Sequence, residues 1–449
     1  MKKFKLINYI LPSVISMVIV GTYTNIDGLF IGNRAGDEGL AAINIAWPIV
    51  AFITSLGTGL GIGAAVVING FRGENENRLA EKSKAVSLRL LVIGGLISTL
   101  LCFAVYSPLL SLLGASGTVK TYAENYSLII SLGALFQVVG AGSVVLLRNE
   151  GKTYSALIYT AIGLAVHIGL DFLTVKKFAL YGVAAATVVS QAVVAVLAIV
   201  TFLKQKNTEI ANETVISGKS ATSISEKRET ETSETSMRLA ARILKNSVAP
   251  FGLNFVPSAT LLFTNFFALN NGGTAAVGAY AVMSYALYTY DYIYQGVCDG
   301  VQPALSYYRG AGDLIEERKT VYKSIITLIC LSAAFIALTP AAILFLPKIF
   351  SVSAEAAEMM RVGFIIYAIA YPLKAAVKFV CSYAYSTGRI IVSNIVTYLD
   401  PFLFTPISLA VLSGRGTSGI WAALPVSQVL TLLAAACIFL ILKFKSEHK

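Results

Sequence analysis

Charge is what this sequence lacks. Asp, Glu, Lys and Arg make up 13% of its 449 residues, about half the share of a soluble domain. The five cysteines, Cys102, Cys298, Cys330, Cys381 and Cys437, stand far apart. That spacing excludes a paired-cysteine metal knuckle and a disulfide framework, and the five read as small buried apolar residues. There is no His-Glu-x-x-His, no Gly-x-Ser-x-Gly and no Cys–His dyad, so an enzyme would have only a bare pair of aspartates to work with. No small-residue cleavage site precedes the first apolar run, which therefore reads as an uncleaved span. Ten-residue segments of alternating polarity are missing too, which excludes a membrane barrel.

What is present is apolar. Hydrophobic residues are 56% of the chain and mean hydropathy is +0.72. The apolar runs are each near the ~20 residues that a spanning helix needs. Twelve spans are expected, at about 7–31, 40–69, 88–112, 122–147, 154–174, 181–203, 243–269, 275–306, 322–345, 358–385, 390–412 and 418–442. The fold class is all-α integral membrane. The net charge of +11 points to no nucleic acid. With the N-terminus inside, 26 Lys and Arg fall in cytoplasmic segments and 6 outside, with Arg361, Lys374 and Lys378 left on span 10. That bias is a topology signal placing both termini in the cytoplasm, helped by anionic lipid.

The polar interval 204–240 has a Ser-, Thr-, Glu- and Lys-rich middle, a disordered-linker composition. It separates an N-terminal six-helix lobe, 1–203, from a C-terminal one, 241–449. The halves resemble each other at an offset of 237: Gly63 with Gly300, Arg72 with Arg309 and Gly73 with Gly310. An even number of spans per half makes this a parallel repeat about the membrane normal.

Chemistry is expected where charge breaks the apolar runs, because intramembrane acids are functional by default. Asp27 is the only acid in span 1; the plain alternative is a residue at the span end, near the headgroups. On span 5, His167 and Asp171 are four apart and share a helix face, a plausible proton-linked pair, or else a polar patch near Lys176 and Lys177. Span 8 carries Tyr288, Asp291, Tyr292, Gln295 and Asp299. Acids among aromatic rings can hold an organic cation, while an aromatic belt is the plainer reading. Lys374 and Lys378 on span 10 could pair with Asp400 on span 11, which would reduce the cost of burial. Gly57, Gly59, Gly61 and Gly63 on span 2 permit close helix contact. The stretch 148–152, around Gly151, reads as a helix stop and cytoplasmic loop.

In order and spacing, these strings resemble the multidrug and toxic compound extrusion (MATE) family, in its branch of bacterial drug exporters. The first copy shows Asp27-Gly28-Leu29-Phe30-Ile31-Gly32, Gly39-Leu40-Ala41-Ala42, Phe71-Arg72-Gly73-Glu74-Asn75, Leu147-Arg148-Asn149-Glu150-Gly151-Lys152-Thr153, Asp171, and Tyr181-Gly182-Val183-Ala184-Ala185-Ala186-Thr187. The second shows Gly300-Val301-Gln302-Pro303 through Arg309-Gly310-Ala311. The resemblance implies two six-helix bundles around a central cleft that opens to each side in turn, exporting amphipathic organic cations against inward H⁺ or Na⁺. It implies a monomer in the inner (cytoplasmic) membrane, with no cofactor beyond the coupling ion. It puts that ion on Asp27 and Asp171, with Thr187 as a neighbour. His167 stands where the family often has Asn, which weakens a Na⁺ site at this acid pair and tilts the expectation to H⁺. The C-lobe acids of the Na⁺-coupled branch, on spans 7 and 10, are absent. Cleft candidates are Asn25, Tyr288, Asp291, Tyr292, Gln295, Asp299, Lys374, Lys378 and Asp400. The main alternative is a flippase for a lipid-linked saccharide, which would line its cleft with Arg and Lys for phosphate. The excess of intramembrane acids favours cationic cargo.

Overall fold

A computed structural model describes residues 3–217, 235–350 and 352–447, with side chains throughout except at 24, 25, 29, 32, 33, 37, 206–217 and 442–447. Among the described residues there is no strand. The side chain of the cleft candidate Asn25, residues 218–234 of the 204–240 linker and the tail residue His448 fall outside what is described.

Several helices are far longer than one crossing. Ile7–Gly73 runs 67 residues, and at 1.5 Å per residue a bilayer takes about 20. It breaks at Gly36, whose φ of 58° and ψ of −150° no helix contains. Thr153–Ser217 breaks the same way at Ala179 and Pro257–Gly310 at Gly273. Gly117–Leu132 and Ala134–Asn149 form one span bent by 59°. The stretch from Ile390 turns over at Ser413–Arg415, before Gly416–Glu447. With these breaks, the described residues make twelve crossings, and the chain is a multi-pass membrane protein. The expected spans lie inside these helices, several of which extend beyond them, span 3 to Asn77 and span 9 to Leu314.

The breaks also carry the repeat. Positive φ occurs at Gly36 and Gly273, at Asn75 and Gly312, at Gly151 and Gly388, and at Ala179 and Gly416. Each pair is separated by the 237 residues at which the side chains also match. Backbone reversals that require left-handed geometry thus recur at equivalent points of both halves, although few side chains do.

One helix, Leu314–Ile349, is largely inverted relative to a helix of a soluble protein. On Leu314–Ile349 the buried positions include Thr320, Ser324, Ser332 and Thr339, whereas Ile325, Ile326, Ile329 and Ile336 are exposed. Each of those four hydroxyls donates to the carbonyl four residues back, at 2.8–3.1 Å, so it needs no other partner. Apolar surface on this scale belongs against lipid. The same face takes Cys330, and span 12 exposes Cys437, so these two cysteines are not buried as expected. Nothing in their spacing marks which face of an almost uniformly apolar helix points outward.

The chain divides into two compact units. One joins Ile19–Phe251 with Ser306–Asp313. Here a Cβ on Gly57 would meet the Val138 carbonyl at 2.6 Å, and one on Gly61 the Gly142 carbonyl at 2.7 Å. Gly63 lies against Ser247 with no room for a side chain. The span-2 glycines therefore serve packing. The other unit joins Met1–Val18, Gly252–Leu305 and Leu314–Lys449. Its core stacks Tyr290 on Phe335 and Tyr280 on Trp421.

Candidate functional site

In the unit containing Ile19–Phe251, spans 1, 4, 5 and 6 bring five polar side chains to one buried point. His167 Nε2 lies 2.9 Å from Asp27 Oδ1 and 3.3 Å from Asp171 Oδ2. Asp27 is 4% exposed, His167 and Asp171 0%. The Thr187 hydroxyl donates to the Val183 carbonyl and so turns an acceptor toward His167 Nε2, at 3.3 Å. Three oxygens thus surround one ring nitrogen. Tyr126 donates its hydroxyl to Asp27 Oδ2 at 3.3 Å, and the Tyr23 ring stacks on the imidazole at 4.9 Å. Asp27 Oδ1, both Asp171 oxygens and His167 Nδ1 make no aligned hydrogen bond within the protein, so the two carboxylates approach His167 as close charge contacts.

The geometry follows from local structure. One helical turn puts His167 and Asp171 together. Thr187 arrives because the chain reverses at Ala179. The ion-coupling candidates Asp27, His167, Asp171 and Thr187 thus lie in contact. Tyr126 and Tyr23 were not foreseen, since nothing in their sequence neighbourhoods separates them from other tyrosines in apolar helices. The ligand atoms of Asp27, His167 and Asp171 lie within 4.8 Å of one another, close enough to share a cation. Yet the imidazole nitrogen itself fills the gap between the two carboxylates. Three titratable groups in such contact bind protons as one unit.

A second buried network in this unit lies where spans 2, 3, 4 and 6 end together. Arg72 meets Glu150 at 2.7 Å and Glu81 at 3.1 Å, Lys84 meets Glu150 at 3.3 Å, and Gln205 donates to Glu150 at 3.1 Å. Glu150 is only 5% exposed. Burial alone would raise its affinity for a proton, but Arg72 and Lys84 outweigh burial and hold it below the usual carboxylate range. The stretch 148–152 is indeed a helix stop, with Gly151 at φ 80°. It is also the anchor of four spans, which its loop-like composition conceals.

The other unit gathers most of the remaining candidates. Lys378 donates to Asp291 Oδ2 at 2.6 Å, and Lys374 stands 3.4 Å from Asp291 Oδ1. Asp400, the partner expected for these lysines, instead accepts from Gln428 at 2.7 Å and Thr431 at 3.3 Å. Helical periodicity assigns faces within a helix but not which neighbour each face meets. Asp400 opens a π-helical turn, Asp400–Phe404, that carries Pro401. Such insertions re-aim side chains and recur at functional sites. Tyr288, Asp291, Lys374, Lys378 and Asp400 line a cavity of about 90 Å³. Gln295 and Asp299 pair with each other at 2.7 Å outside this lining, and Tyr292 is half-buried beyond it.

Apolar crossings in two repeated halves, with buried clusters of charge inside each unit, are the plan of a polytopic membrane protein. The MatE family model matches residues 12–173, which include Asp27, His167 and Asp171. Over that stretch the chain is similar to the MATE family. Its relatives include the multidrug export protein MepA of Staphylococcus aureus (strain NCTC 8325 / PS 47), 24% identical over 344 residues, covering 74% of this chain and 70% of that one. Among solved structures, an outward-facing multidrug resistance MATE transporter of the MOP superfamily superposes with a TM-score of 0.82 at 19% identity, over 96% of this chain and 93% of that one. A MOP-superfamily transporter from Pyrococcus furiosus, described by the reverse polarity of its binding pocket, does so with a TM-score of 0.82 at 18% identity, over the same shares. At these identities the structural likeness is one of fold.

Proposed function

We propose that the protein is a proton-coupled exporter of amphipathic organic cations that exposes its cargo to the two sides of the membrane in turn. The observation that carries this reading is the imidazole nitrogen of His167 seated between the carboxylates of Asp27 and Asp171. The names of the relatives, a multidrug export protein and a multidrug resistance transporter, support drug cargo over a lipid-linked saccharide.

The physical argument for H⁺ is steric and electrostatic. A Na⁺ ion needs oxygen ligands around an open point, and here a ring nitrogen fills that point. A proton needs only the groups already present. At the 2.9 Å between His167 and Asp27 and an effective dielectric of about 20, an imidazolium attracts the carboxylate by about 6 kcal/mol. A neutral imidazole has no such attraction, so one proton changes the tie between span 1 and span 5 by that order. Moving a two-state equilibrium from 1:99 to 99:1 takes about 5.5 kcal/mol. A single protonation at this cluster is therefore large enough to bias the transporter between two conformations.

The setting in this reading is the inner (cytoplasmic) membrane with both termini inside, supported by the 26-to-6 split of basic residues, and the working unit is one chain. The test is ethidium efflux from proteoliposomes under a pH gradient or a Na⁺ gradient imposed separately. Efflux driven by the pH gradient alone supports the proposal. Efflux that follows the Na⁺ gradient and ignores pH refutes H⁺ coupling.

A further inference from the structure

The repeat also marks a groove between the ends of spans 5 and 6 whose polar lining is private to the first half. Its volume is about 510 Å³, and its lining includes Lys152, Tyr159, Val200, Thr201, Lys204 and Gln205. At the 237-residue offset these correspond to Arg389, Val396, Cys437, Ile438, Ile441 and Leu442. Only the first position stays basic there, and the Arg389 guanidinium lies over the rings of Tyr383 and Phe439, at 5.2 and 5.3 Å. Packing common to both halves therefore does not require two lysines and three neutral polar side chains at this point. Lys152 is half-buried and Lys204 exposed. No described acid lines the groove, so its mouth is a place of positive potential.

The lining is graded in polarity. Lys204, Thr201, Val200 and Leu197 share one face of span 6, with the charge at the helix end and Leu197 about 10 Å deeper. Lys152, just ahead of span 5, and Tyr159 within it repeat that order two turns apart. Tyr159 and Thr201 hydrogen-bond to each other at 2.8 Å and so join the two walls. The flanking Ile158, Val196 and Leu203 are exposed, so the groove opens on lipid. We propose that it binds an anionic phospholipid, with the phosphodiester at Lys152 and Lys204, the ester region against Tyr159 and Thr201, and an acyl chain along Val200 and Leu197. Basic pockets between spanning helices take such headgroups, and the volume lies within the ~300–1,000 Å³ of ligand pockets. Gln205, in the same lining, donates to Glu150 at 3.1 Å, so a bound headgroup rests against the network that anchors four spans. Such a site goes beyond the exporter reading and depends on neither its cargo nor its coupling ion.

The probes are dioleoyl phosphatidylglycerol, which is anionic, and dioleoyl phosphatidylethanolamine, which has the same chains and is zwitterionic. Binding of the first lipid to the purified full chain in neutral detergent is read by native mass spectrometry, as the ratio of lipid-bound to free protein. Wild type is expected to bind the anionic lipid about tenfold more tightly. The double variant Lys152→Gln/Lys204→Gln should bring this preference close to one, and Lys152→Arg/Lys204→Arg should keep most of it. Lys176→Gln/Lys177→Gln removes the same charge from the other end of span 5 and should leave the preference unchanged. Equal binding of the two lipids by wild type, no binding of either, or an unchanged preference in Lys152→Gln/Lys204→Gln would each overturn the site. So would an equal loss in Lys176→Gln/Lys177→Gln, which would reduce the effect to overall charge. Displacement of the anionic lipid by inorganic phosphate at equal concentration would make the groove a free-anion site and refute the lipid assignment.

Discussion

At the scale of the residue, the account rests on five side chains. The carboxylates Asp27 and Asp171 carry the charge that a proton cancels, so Asp27→Asn and Asp171→Asn should each reduce pH-driven efflux at least tenfold while leaving the protein folded. Tyr126→Phe removes one hydrogen bond to Asp27, a contribution of about 1 kcal/mol, and should cost about threefold to tenfold in the same assay. His167→Asn is more telling. It withdraws the ring nitrogen from between the carboxylates and puts an amide oxygen nearby, so it should make efflux respond to a Na⁺ gradient where wild type does not. Part of this site was legible beforehand. A lone acid in an apolar run and a His–Asp pair one turn apart are visible in any helical reading. That Asp27 meets a pair about 140 residues away was not, and only likeness to a family joined them. Tyr126 and Tyr23 gave no signal, because burial against a charge leaves no mark on a tyrosine's sequence context.

At the scale of the element, breaks and anchors decide the layout. Ala179 adopts the reversal that glycine makes at the equivalent position, Gly416. A residue with a Cβ pays for this geometry in strain of about 1 kcal/mol or more. Ala179→Gly should therefore raise the thermal midpoint in detergent slightly, despite glycine's greater unfolded-state entropy. A lowered midpoint would contradict the strain. The Glu150 network makes the opposite kind of prediction. Glu150→Gln leaves Arg72 and Lys84 facing a neutral group, and loss of a partner from a buried ionic network costs about 3–5 kcal/mol. The figure here should be smaller, since Arg72 is 22% exposed. The sign with pH follows from the lowered proton affinity. Glu150 contributes fully above its ordinary value of 4.5, and the contribution is lost as pH falls below that point. The stability gap between wild type and Glu150→Gln should thus narrow in acid. Span lengths and turn glycines were readable from composition. The anchor was not, because charges flanking a glycine look solvated until four spans close around them.

At the scale of the molecule, duplication explains the plan and divergence explains the chemistry. The backbone reversals recur at one offset, while the charged clusters do not. Asp27, His167 and Asp171 correspond to Thr264, Phe404 and Ser408, so the second half has no copy of the triad. Each half keeps the shared scaffold and carries its own buried charged cluster, Asp27–His167–Asp171 in the first and Asp291–Lys374–Lys378 in the second. The twelve crossings followed from hydropathy because the bilayer sets a fixed length. The partners of Asp291 and Asp400 were misread because helix-to-helix neighbours depend on tertiary packing.

The central claim is that export exchanges cargo for protons through the Asp27–His167–Asp171 cluster. The most direct measurement is proton counterflow in proteoliposomes loaded with a pH-sensitive dye, with ethidium added outside and no other gradient imposed. Wild type is predicted to raise the lumenal pH as ethidium enters, and Asp27→Asn to leave it flat. Ethidium entry without a pH change in wild type, or the same pH change in Asp27→Asn, would contradict the account.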